Sequence, residues 1–526
     1  MSEPLIQIEP LSSPRGGCQG KNINYHEGTF CHPASAADVQ QLGLPYSPAT
    51  GSPEFDWELP PDWEEIILRG MKERLEKYRS FRLFMDSCVR CGVCMDKCPI
   101  YIGSSNPKNT PVLRGELMRA VYRYYFAPGG RHFPGITRGK PLRKETLRQW
   151  FYYFYQCTEC RRCAVYCPVG IDTAEITMIG RELLGLVGIH AGSVMKPAAN
   201  SWRTGNSLGK NPDEIRQALD SAADELEQIT GVRVEVPVDR KGAEILFLTP
   251  SADLFCKPHR YTLLGYLALF HQIGLDYTFS TIAAEGSNPG LYSSHELAQR
   301  LGAPIYEEAR RLGVQWILGG EGGHMWRTIH QYLLTMNGPA GFLRTPESAL
   351  TGTRFEHASA AGALHICEFS ADLLHHGKLP LDASRNHRWT VTYHDSCHPA
   401  RSMGMLEEPR TILRHAAERF VEMPVNTIRE NTLCCGAGGG LDAEENFEYR
   451  MRCGYPRAMA VKTVKEESGV NLLACICATD KVSLPVLLDY WVGDVAVAGV
   501  HELLGNALVL RGEKLRTTDL RGQPLR

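Results

Sequence analysis

In this chain of 526 residues, apolar residues recur at helical spacing in three segments between 62 and 155. The clearest case is EEIILRGMKERLEKYRSFRLF, within 62–85, and the same spacing returns over 115–125 and 145–155. Such spacing places the apolar positions on one face of a helix, so this part of the chain is predicted to be helical. Residues 1–60 are rich in Pro, Gly and Ser, show little periodicity, and are interpreted as an extended arm.

After residue 240, short apolar runs of strand type alternate with helical patterns. The apolar runs cover 244–249, 314–319, 389–393 and 470–475, and the helical patterns cover 294–312, 409–420 and 443–467. This alternation is typical of parallel sheets covered by helices. The most apolar stretch, 261–275, is shorter than the roughly 20 residues that span a bilayer and is predicted to be a buried helix.

The second half of the chain repeats itself. EILFLTPSADLF resembles RWTVTYHDSCHP, EGSNPGL (285–291) resembles CCGAGGGL (434–441), and GVQWILGGEGG resembles GVNLLACICAT. Residues 242–338 and 388–490 therefore look like two copies of one α/β unit, of which the second retains its cysteines. The fold class that follows is a multidomain α+β protein, with a helical domain before two repeated α/β units.

Composition excludes several classes of function. With 43% hydrophobic residues, 22% charged residues and a net charge of −2, the chain has no electrostatic footprint for nucleic acid and no polybasic membrane patch. The 18 cysteines do not form a secreted disulfide framework, because the chain is long and its N-terminus lacks a secretory signal. We expect a cytoplasmic protein that contacts the membrane through a partner subunit.

Two cysteine runs with the same spacing carry the clearest chemistry. The runs are Cys88, Cys91, Cys94 and Cys98, followed by Pro99, and Cys157, Cys160, Cys163 and Cys167, followed by Pro168. C-x-x-C-x-x-C-x-x-x-C-P is the bacterial ferredoxin pattern for cubane [4Fe–4S] clusters, and in the two-cluster arrangement the fourth cysteine ligates the other cluster. One cluster is then assigned to Cys88, Cys91, Cys94 and Cys167, and the other to Cys157, Cys160, Cys163 and Cys98. A zinc site is the alternative, although neither the triple spacing nor the proline suits it.

A second, scattered set of cysteines lies in the second repeat: Cys397, Cys434, Cys435, Cys475 and Cys477. Each falls at the C-terminal end of a predicted strand or in a glycine-rich loop beyond one, where open α/β sheets bind their ligands. The alternative is a chance grouping of buried free thiols. Cys18 and Cys31, in the arm, are interpreted as free thiols.

CCGAGGG downstream of Cys397 resembles the CCG domain of heterodisulfide-reductase-type proteins, whose pattern is C…CCG…C-x-x-C. The resemblance implies a noncubane [4Fe–4S] cluster, bound by the five scattered cysteines, that breaks and makes S–S bonds. Cys-Ile-Cys replaces the usual C-x-x-C, so Cys453 is a substitute for the last ligand. The first repeat departs further: Glu285 and Gly286 replace the CC pair, and Cys256 is left alone. One noncubane cluster is implied.

The domain order resembles HdrD, and PKNTPVLRGELMRAVYRYYF and FYQCTECRRCAVYCPVGIDTAEIT resemble the DsrK family, HdrD-like iron–sulfur subunits of the Dsr membrane complex of sulfur metabolism. The resemblance implies electron exchange with a quinone-linked cytochrome b subunit (DsrM). It also implies a disulfide or trisulfide of the small sulfur carrier DsrC as substrate. The direction of the reaction stays open.

The domains are then expected as an arm (1–60), a ferredoxin domain (61–200), a degenerate CCG unit (240–340), a CCG unit with the noncubane cluster (341–505) and a tail (506–526). Two alternatives stay open: the iron–sulfur subunit of a glycolate- or glycerol-3-phosphate-dehydrogenase complex, and a relay subunit without catalysis. The aromatic run 150–155 is interpreted as packing around the clusters, with an interface for a membrane subunit as the alternative.

Overall fold

The computed structural model describes residues 32–51, 55–286, 288–443, 446–514 and 516–525. The chain forms two compact units. The first unit comprises Met1–Ala199, Leu291–His295 and Leu433–Arg457, and the second comprises Asn200–Gly290, Glu296–Thr432 and Ala458–Arg526. Cys18 and Cys31 lie outside the described residues. Within the described ranges, every helix is too short or too polar to cross a bilayer.

Helices account for most of the regular structure. They are α1 Ala36–Gln41, α2 Trp63–Lys77, α3 Arg79–Asp86, α4 Pro99–Ser104, α5 Pro111–Tyr125, α6 Pro134–Thr137, α7 Lys144–Tyr155, α8 Arg162–Val165, α9 Thr173–Leu186, α10 Gly192–Thr204, α11 Pro212–Thr230, α12 Ser251–Phe255, α13 Arg260–Ile273, α14 His295–Leu312, α15 Gly323–Arg327, α16 Leu334–Asn337, α17 Ile366–His375, α18 Glu408–Ala416, α19 Phe447–Ser468, α20 Ala478–Trp491 and α21 Val500–Ala507. The predicted helices over 115–125, 145–155 and 294–312 are confirmed, each with a start a few residues earlier or later.

Helix α9 lies at the centre of the first unit and packs against α2, α5 and α7. Its N-cap Asp172 accepts hydrogen bonds from the backbone N–H groups of Ala174 and Glu175, which fixes the start of the helix. The predicted single helix over 62–85 is wrong in one respect, because Tyr78 has an extended backbone and divides it into α2 and α3. At this break the Tyr78 ring stacks on His295, with centroids 4.6 Å apart.

The aromatic run of α7 is buried in the first unit. Its six side chains, Trp150 to Tyr155, are each at most 2% exposed. The interpretation as internal packing is therefore confirmed. Part of the N-terminal arm also packs here: β1 (Ala49–Thr50) pairs antiparallel with β2 (Asp56–Trp57), and the Phe55 N–H donates to Tyr152 Oη at 3.0 Å. Residues 32–51 and 55–60 are thus folded rather than an extended arm.

The second unit contains two parallel four-stranded sheets built in the same order. The strands are β3 Ile245–Leu248, β4 Tyr277–Thr278, β5 Trp316–Gly319, β6 Ala363–His365, β7 Thr390–Tyr393, β8 Arg419–Phe420, β9 Leu472–Cys475 and β10 Ala496–Gly499. The sheet orders are β4-β3-β5-β6 and, read from its other edge, β8-β7-β9-β10. The four predicted strands are the central ones, β3, β5, β7 and β9, whose residues are almost all buried.

The edge strands β4 and β8 have two residues each, too few for an alternating or apolar pattern to stand out. Consequently the predicted helix over 409–420 is too long: α18 ends at Ala416, and Arg419 and Phe420 form β8. The helices that flank the sheets pack in two corresponding pairs, α13 with α21 and α17 with α18. A single hydrophobic core joins both sheets.

Candidate metal centres

Five cysteines from the two runs line one cavity in the first unit. Cys88, Cys91 and Cys94 follow α3, and Cys167 comes from the second run; Cys163 also reaches the wall. Burial raises the pKa of the Cys94 thiol to about 11, and Cys167 and Cys88 are its electrostatic neighbours. The fourth cysteine of the second run thus lies beside the first three cysteines of the first run.

The remaining cysteines form a second group, made of Cys98, Cys157, Cys160 and Cys163. Burial raises the pKa of Cys98, Cys157 and Cys163, and each of them has Cys98 or Cys160 among its electrostatic neighbours. Cys98 is the N-cap of α4, and Pro99 occupies the first helical position, where its missing N–H costs nothing. The structure therefore brings together the two sets of four that the crossed assignment names.

The two runs share a backbone conformation that curls the chain around each group. Arg90 and Glu159, the residues before the second cysteine of each run, have φ of 57° and 55°. Gly92 and Arg161, the residues after it, have φ of 81° and 61°. Non-glycine residues seldom adopt positive φ, so three such residues at matching positions indicate that both loops enclose a ligand of the same shape.

Buried arginines accompany the two groups. Arg114 is 1% exposed, donates to the Tyr153 carbonyl at 2.9 Å, and has Cys157 and Cys98 as electrostatic neighbours. Arg119 is 2% exposed and has Cys88 as a neighbour. A cluster bound by four thiolates is anionic, and a buried anion needs a nearby cation. The donor set and these guanidinium groups fit a [4Fe–4S] core at each group, whereas the sequence alone had singled out neither arginine.

The CC pair lies in the first unit, against the second cysteine group. Cys434 forms side-chain hydrogen bonds with Cys160 and Cys435. The bond with Cys160 lowers the pKa of the Cys434 thiol, whereas the bond with Cys435 and burial raise it, and the resulting pKa is about 12. Its Sγ also donates to Thr158 Oγ1 at 3.5 Å. The glycine run permits this approach, because a Cβ on Gly439 would lie 2.5 Å from the Cys157 carbonyl oxygen.

Cys453, the substitute ligand, is fully buried in the first unit. It packs with Cys98, Leu441 and Tyr449 in one small apolar cluster. Burial raises the pKa of its thiol, and Cys434 and Cys98 are electrostatic neighbours that raise it further.

Cys397, Cys475 and Cys477 belong to the second unit. Cys475 ends β9, Cys477 is the N-cap of α20, and Cys397 is half-buried just beyond β7. The Ile476 N–H donates to Ser396 Oγ at 3.4 Å, which joins the two segments. Burial raises the pKa of Cys475 strongly and that of Cys477 to about 12. A cation such as iron would stabilise the thiolates that burial alone disfavours.

Helix α15, from the first half of the second unit, covers this cysteine segment. A Cβ on Gly323 would lie 3.1 Å from Cys477 Sγ, so the glycine permits the close approach. The His324 and His398 rings are in contact at an angle of 50°, with centroids 4.1 Å apart, and burial lowers the pKa of His324 to about 4. Arg327 donates from Nη1 to His398 Nδ1 at 3.3 Å. Because arginine has only donors, His398 Nδ1 must accept, which leaves the ring proton of a neutral His398 on Nε2.

Among the residues described, no three His, Cys, Asp or Glu side chains are close enough to bind one metal ion. The first cysteine group instead lines a cavity, and the second group is a set of buried thiols that are electrostatic neighbours.

Comparison with known proteins identifies two matching family models and several relatives. A 4Fe-4S dicluster domain matches residues 84–171, and a cysteine-rich domain matches residues 391–479. The chain is 46% identical to the Hdr-like menaquinol oxidoreductase iron–sulfur subunit of Archaeoglobus profundus, over 90% of this chain and 88% of the relative. It is 47% identical to iron–sulfur subunit 2 of Archaeoglobus fulgidus, over 90% and 89%. It is 26% identical to one subunit of the dihydromethanophenazine:CoB–CoM heterodisulfide reductase of Methanosarcina barkeri, over 81% and 94%.

Proposed function

Because this chain belongs to the family of Hdr-like menaquinol oxidoreductase iron–sulfur subunits, we propose that it exchanges electrons between a membrane quinone pool and a sulfur–sulfur bond. The proposed partner on the quinone side is a cytochrome b subunit of the DsrM type. On the sulfur side it is a disulfide or trisulfide of a DsrC-type carrier. The contact between Cys434 and Cys160 carries the proposal, because it joins the CC pair to a cubane cysteine group.

The two cysteine groups of the first unit are proposed to hold the cubane clusters in the crossed arrangement. Clusters of this kind supply one-electron transfer at each step. The positions of the two groups set the order of electron transfer. The cavity with the exposed Cys91 lies nearer the surface, and the buried group with Cys98 and Cys160 lies next to Cys434. Electrons from the quinone side would therefore enter at the Cys91 group and leave at the Cys160 group.

Cys397, Cys434, Cys435, Cys475 and Cys477, all within the matched cysteine-rich domain, are proposed to ligate one noncubane cluster. The family resemblance supports this set, and Cys453 is now the weaker candidate because it packs with Cys98 in the apolar cluster. Reducing a disulfide to two thiols takes two electrons and two protons. His398, the residue after Cys397, is proposed to donate one of these protons to a departing thiolate, since the contact of its Nδ1 with Arg327 leaves the proton of a neutral ring on Nε2.

The first half of the second unit supports a single noncubane site. The two halves can be superposed by matching the last residues of β5 and β9, Gly319 and Cys475. Gly319 pairs with Leu248, and the register of β7 and β9, in which Tyr393 pairs with Ala474, places His394 opposite Cys475. Leu248 therefore corresponds to His394, and three residues later Ser251 corresponds to Cys397, two residues away from the position given by the sequence alignment. In the same register Glu321 occupies the position of Cys477.

In this first half, the residues at the cysteine positions are engaged in hydrogen bonds and an ion pair. Ser251 donates from Oγ and from its N–H to Glu285, at 2.7 and 2.8 Å. Glu321 accepts from the His501 N–H at 2.7 Å and forms an ion pair with Lys481 at 3.3 Å. A serine and two carboxylates satisfied in this way are poor ligands for an iron–sulfur core, so the first half is proposed to be a degenerate CCG unit.

Cys435→Ser tests the proposal directly. The variant is expected to lose reduction or formation of the carrier's S–S bond, because one noncubane ligand is removed. Iron content should fall from about twelve to about eight atoms per chain, the loss of one four-iron cluster, while both cubanes still reduce with dithionite. Turnover is measured with the purified complex, a quinol analogue and DsrC oxidised to its disulfide.

Cys256→Ala is the matched control, because Cys256 is a half-exposed thiol of the first half. It should keep full iron content and near wild-type turnover. Equal loss of activity in the two variants would contradict a single active site in the second half. A flavoprotein co-purifying with the chain, together with full activity of Cys435→Ser, would favour the dehydrogenase-complex alternative.

A further inference from the structure

Although the net charge of the whole chain is only −2, one segment is strongly basic. Residues 117–144 contain seven Arg and Lys residues and no Asp or Glu. Its central part, which we call the basic loop, is 127–143 and links α5 to α7 through the short helix α6. The expectation that the chain has no polybasic patch is wrong at this scale, because acidic residues elsewhere balance the total.

The basic loop exposes both cations and apolar side chains. Arg131, Arg138, Lys140 and Arg143 are all exposed, as is Lys144 at the start of α7. In the part of the chain that the structure describes, none of these five forms an ion pair with a carboxylate. Phe133 and Ile136 are 60% and 82% exposed, among the most exposed large apolar side chains described. The loop thus presents two exposed apolar side chains, three residues apart, among cations without carboxylate partners, of which Arg131 lies over the Tyr125 ring.

Hydrogen bonds to α5 fix the backbone conformation of the basic loop. The Lys140 N–H donates to the Ala120 carbonyl at 2.9 Å, and the Leu142 N–H donates to Tyr125 Oη at 3.2 Å. Leu142 is only 2% exposed and anchors the end of the loop. Exposure of Phe133 and Ile136 therefore follows from a fixed backbone path.

A chain of polar contacts ties the loop to the first cysteine run. Arg123 donates to the Arg138 carbonyl at 3.4 Å and also forms an ion pair with Glu116. Glu116 in turn binds Arg90 at 3.0 Å, and Arg90 lies between Cys88 and Cys91. A ligand bound at the loop would thus lie close to the cysteine group through which electrons are proposed to enter.

We propose that the basic loop docks on the surface of an anionic lipid bilayer. Unpaired Lys and Arg complement anionic headgroups, and Phe133 and Ile136 would enter the interface between headgroups and acyl chains. This combination favours a lipid surface over a protein groove, since bilayers offer both negative charge and apolar depth without a fixed shape. Docking would hold the Cys88–Cys94 run at the membrane, where a quinone-linked partner resides.

The test is co-sedimentation of the full-length holoprotein with vesicles at low ionic strength. We expect binding to vesicles of equimolar phosphatidylcholine and phosphatidylglycerol, little binding to phosphatidylcholine alone, and weakening with added salt. Arg138→Glu combined with Lys140→Glu should weaken binding by about tenfold or more. Phe133→Ser combined with Ile136→Ser should weaken binding without changing its salt dependence.

Matched controls lie far from the loop in sequence. Arg233→Glu with Lys462→Glu reverses two exposed cations, and Val425→Ser removes a valine that is 80% exposed. Both should bind as the wild type does. Absence of wild-type binding to anionic vesicles, or loop variants that bind like the controls, would overturn the proposal and point to a protein partner for the loop. Vesicle binding requires no turnover, so its outcome is independent of the proposed sulfur chemistry.

Discussion

At the scale of single residues, the fourth cysteine of each run decides how the clusters are linked. Cys167 lies in the cavity with Cys88, Cys91 and Cys94, while Cys98 is an electrostatic neighbour of Cys157 and Cys163. Each cluster would therefore depend on both runs, although 69 positions separate Cys98 from Cys167. In this proposed arrangement the two clusters would form one interlocked structure.

Cys98→Ser should therefore damage the cluster of the distant run. We expect loss of the cluster bound by Cys157, Cys160 and Cys163, with retention of the one bound by Cys88, Cys91 and Cys94. Cys167→Ser should give the reverse pattern. Electron paramagnetic resonance of the reduced variants distinguishes the two clusters, and iron should fall by about four atoms in each. Loss of the nearby cluster alone in Cys98→Ser would disprove the crossed arrangement.

At the scale of elements, helix crossings depend on glycines that the hydrophobic pattern does not reveal. Helices α13 and α21 meet at Gly265 and Gly505, where a Cβ on Gly265 would lie 1.9 Å from the His501 carbonyl oxygen. The sequence predicted α13 as a buried helix and was correct. It gave no sign that the partner of α13 is α21, because the two helices are more than 200 residues apart.

Gly265→Ala should force α13 and α21 apart. We expect destabilisation of about 1–3 kcal/mol, as for other overpacked cores, measured as a lower midpoint of urea unfolding followed by circular dichroism. Gly341→Ala is the control, because that glycine has open space around its Cα and is exposed; its effect should stay within about 0.5 kcal/mol. A tolerated Gly265→Ala would mean that the helices slide apart at little cost.

At the scale of the whole molecule, a buried ionic group joins the two repeated halves of the second unit. Lys481, from the second half, is 1% exposed and lies 3.3 Å from both Asp253 and Glu321, from the first half. Burial raises the pKa of Asp253 to about 6. Burial would also raise the pKa of Glu321, but Lys481 and His501 lower it below its ordinary value. The ammonium group thus lies beside Glu321, at the position that corresponds to a cluster ligand in the other half.

Lys481→Met should destabilise the protein by about 3–5 kcal/mol, because it removes the ammonium group that pairs with two buried carboxyl groups. Thermal unfolding of the holoprotein measures the effect. Lys462→Met, which breaks an exposed pair with Glu466, should change stability by less than about 0.5 kcal/mol. Adding Asp253→Asn to Lys481→Met should restore part of the loss, because one of the unpaired carboxyl groups is removed. A loss that is unchanged in the double variant would show that the ion pairs contribute little.

The sequence by itself determined the cysteine chemistry, the helical first part and the central strands of both sheets, because cluster spacing and apolar runs are local patterns. Only the tertiary structure decided that 433–457 belongs to the first unit, where Cys434 contacts Cys160, and that Ser251, rather than the residue two positions later, corresponds to Cys397. Edge strands of two residues, buried arginines and the basic loop were also not predicted from the sequence. Each depends on contacts or exposure set by residues far apart in the chain, which a local pattern does not specify.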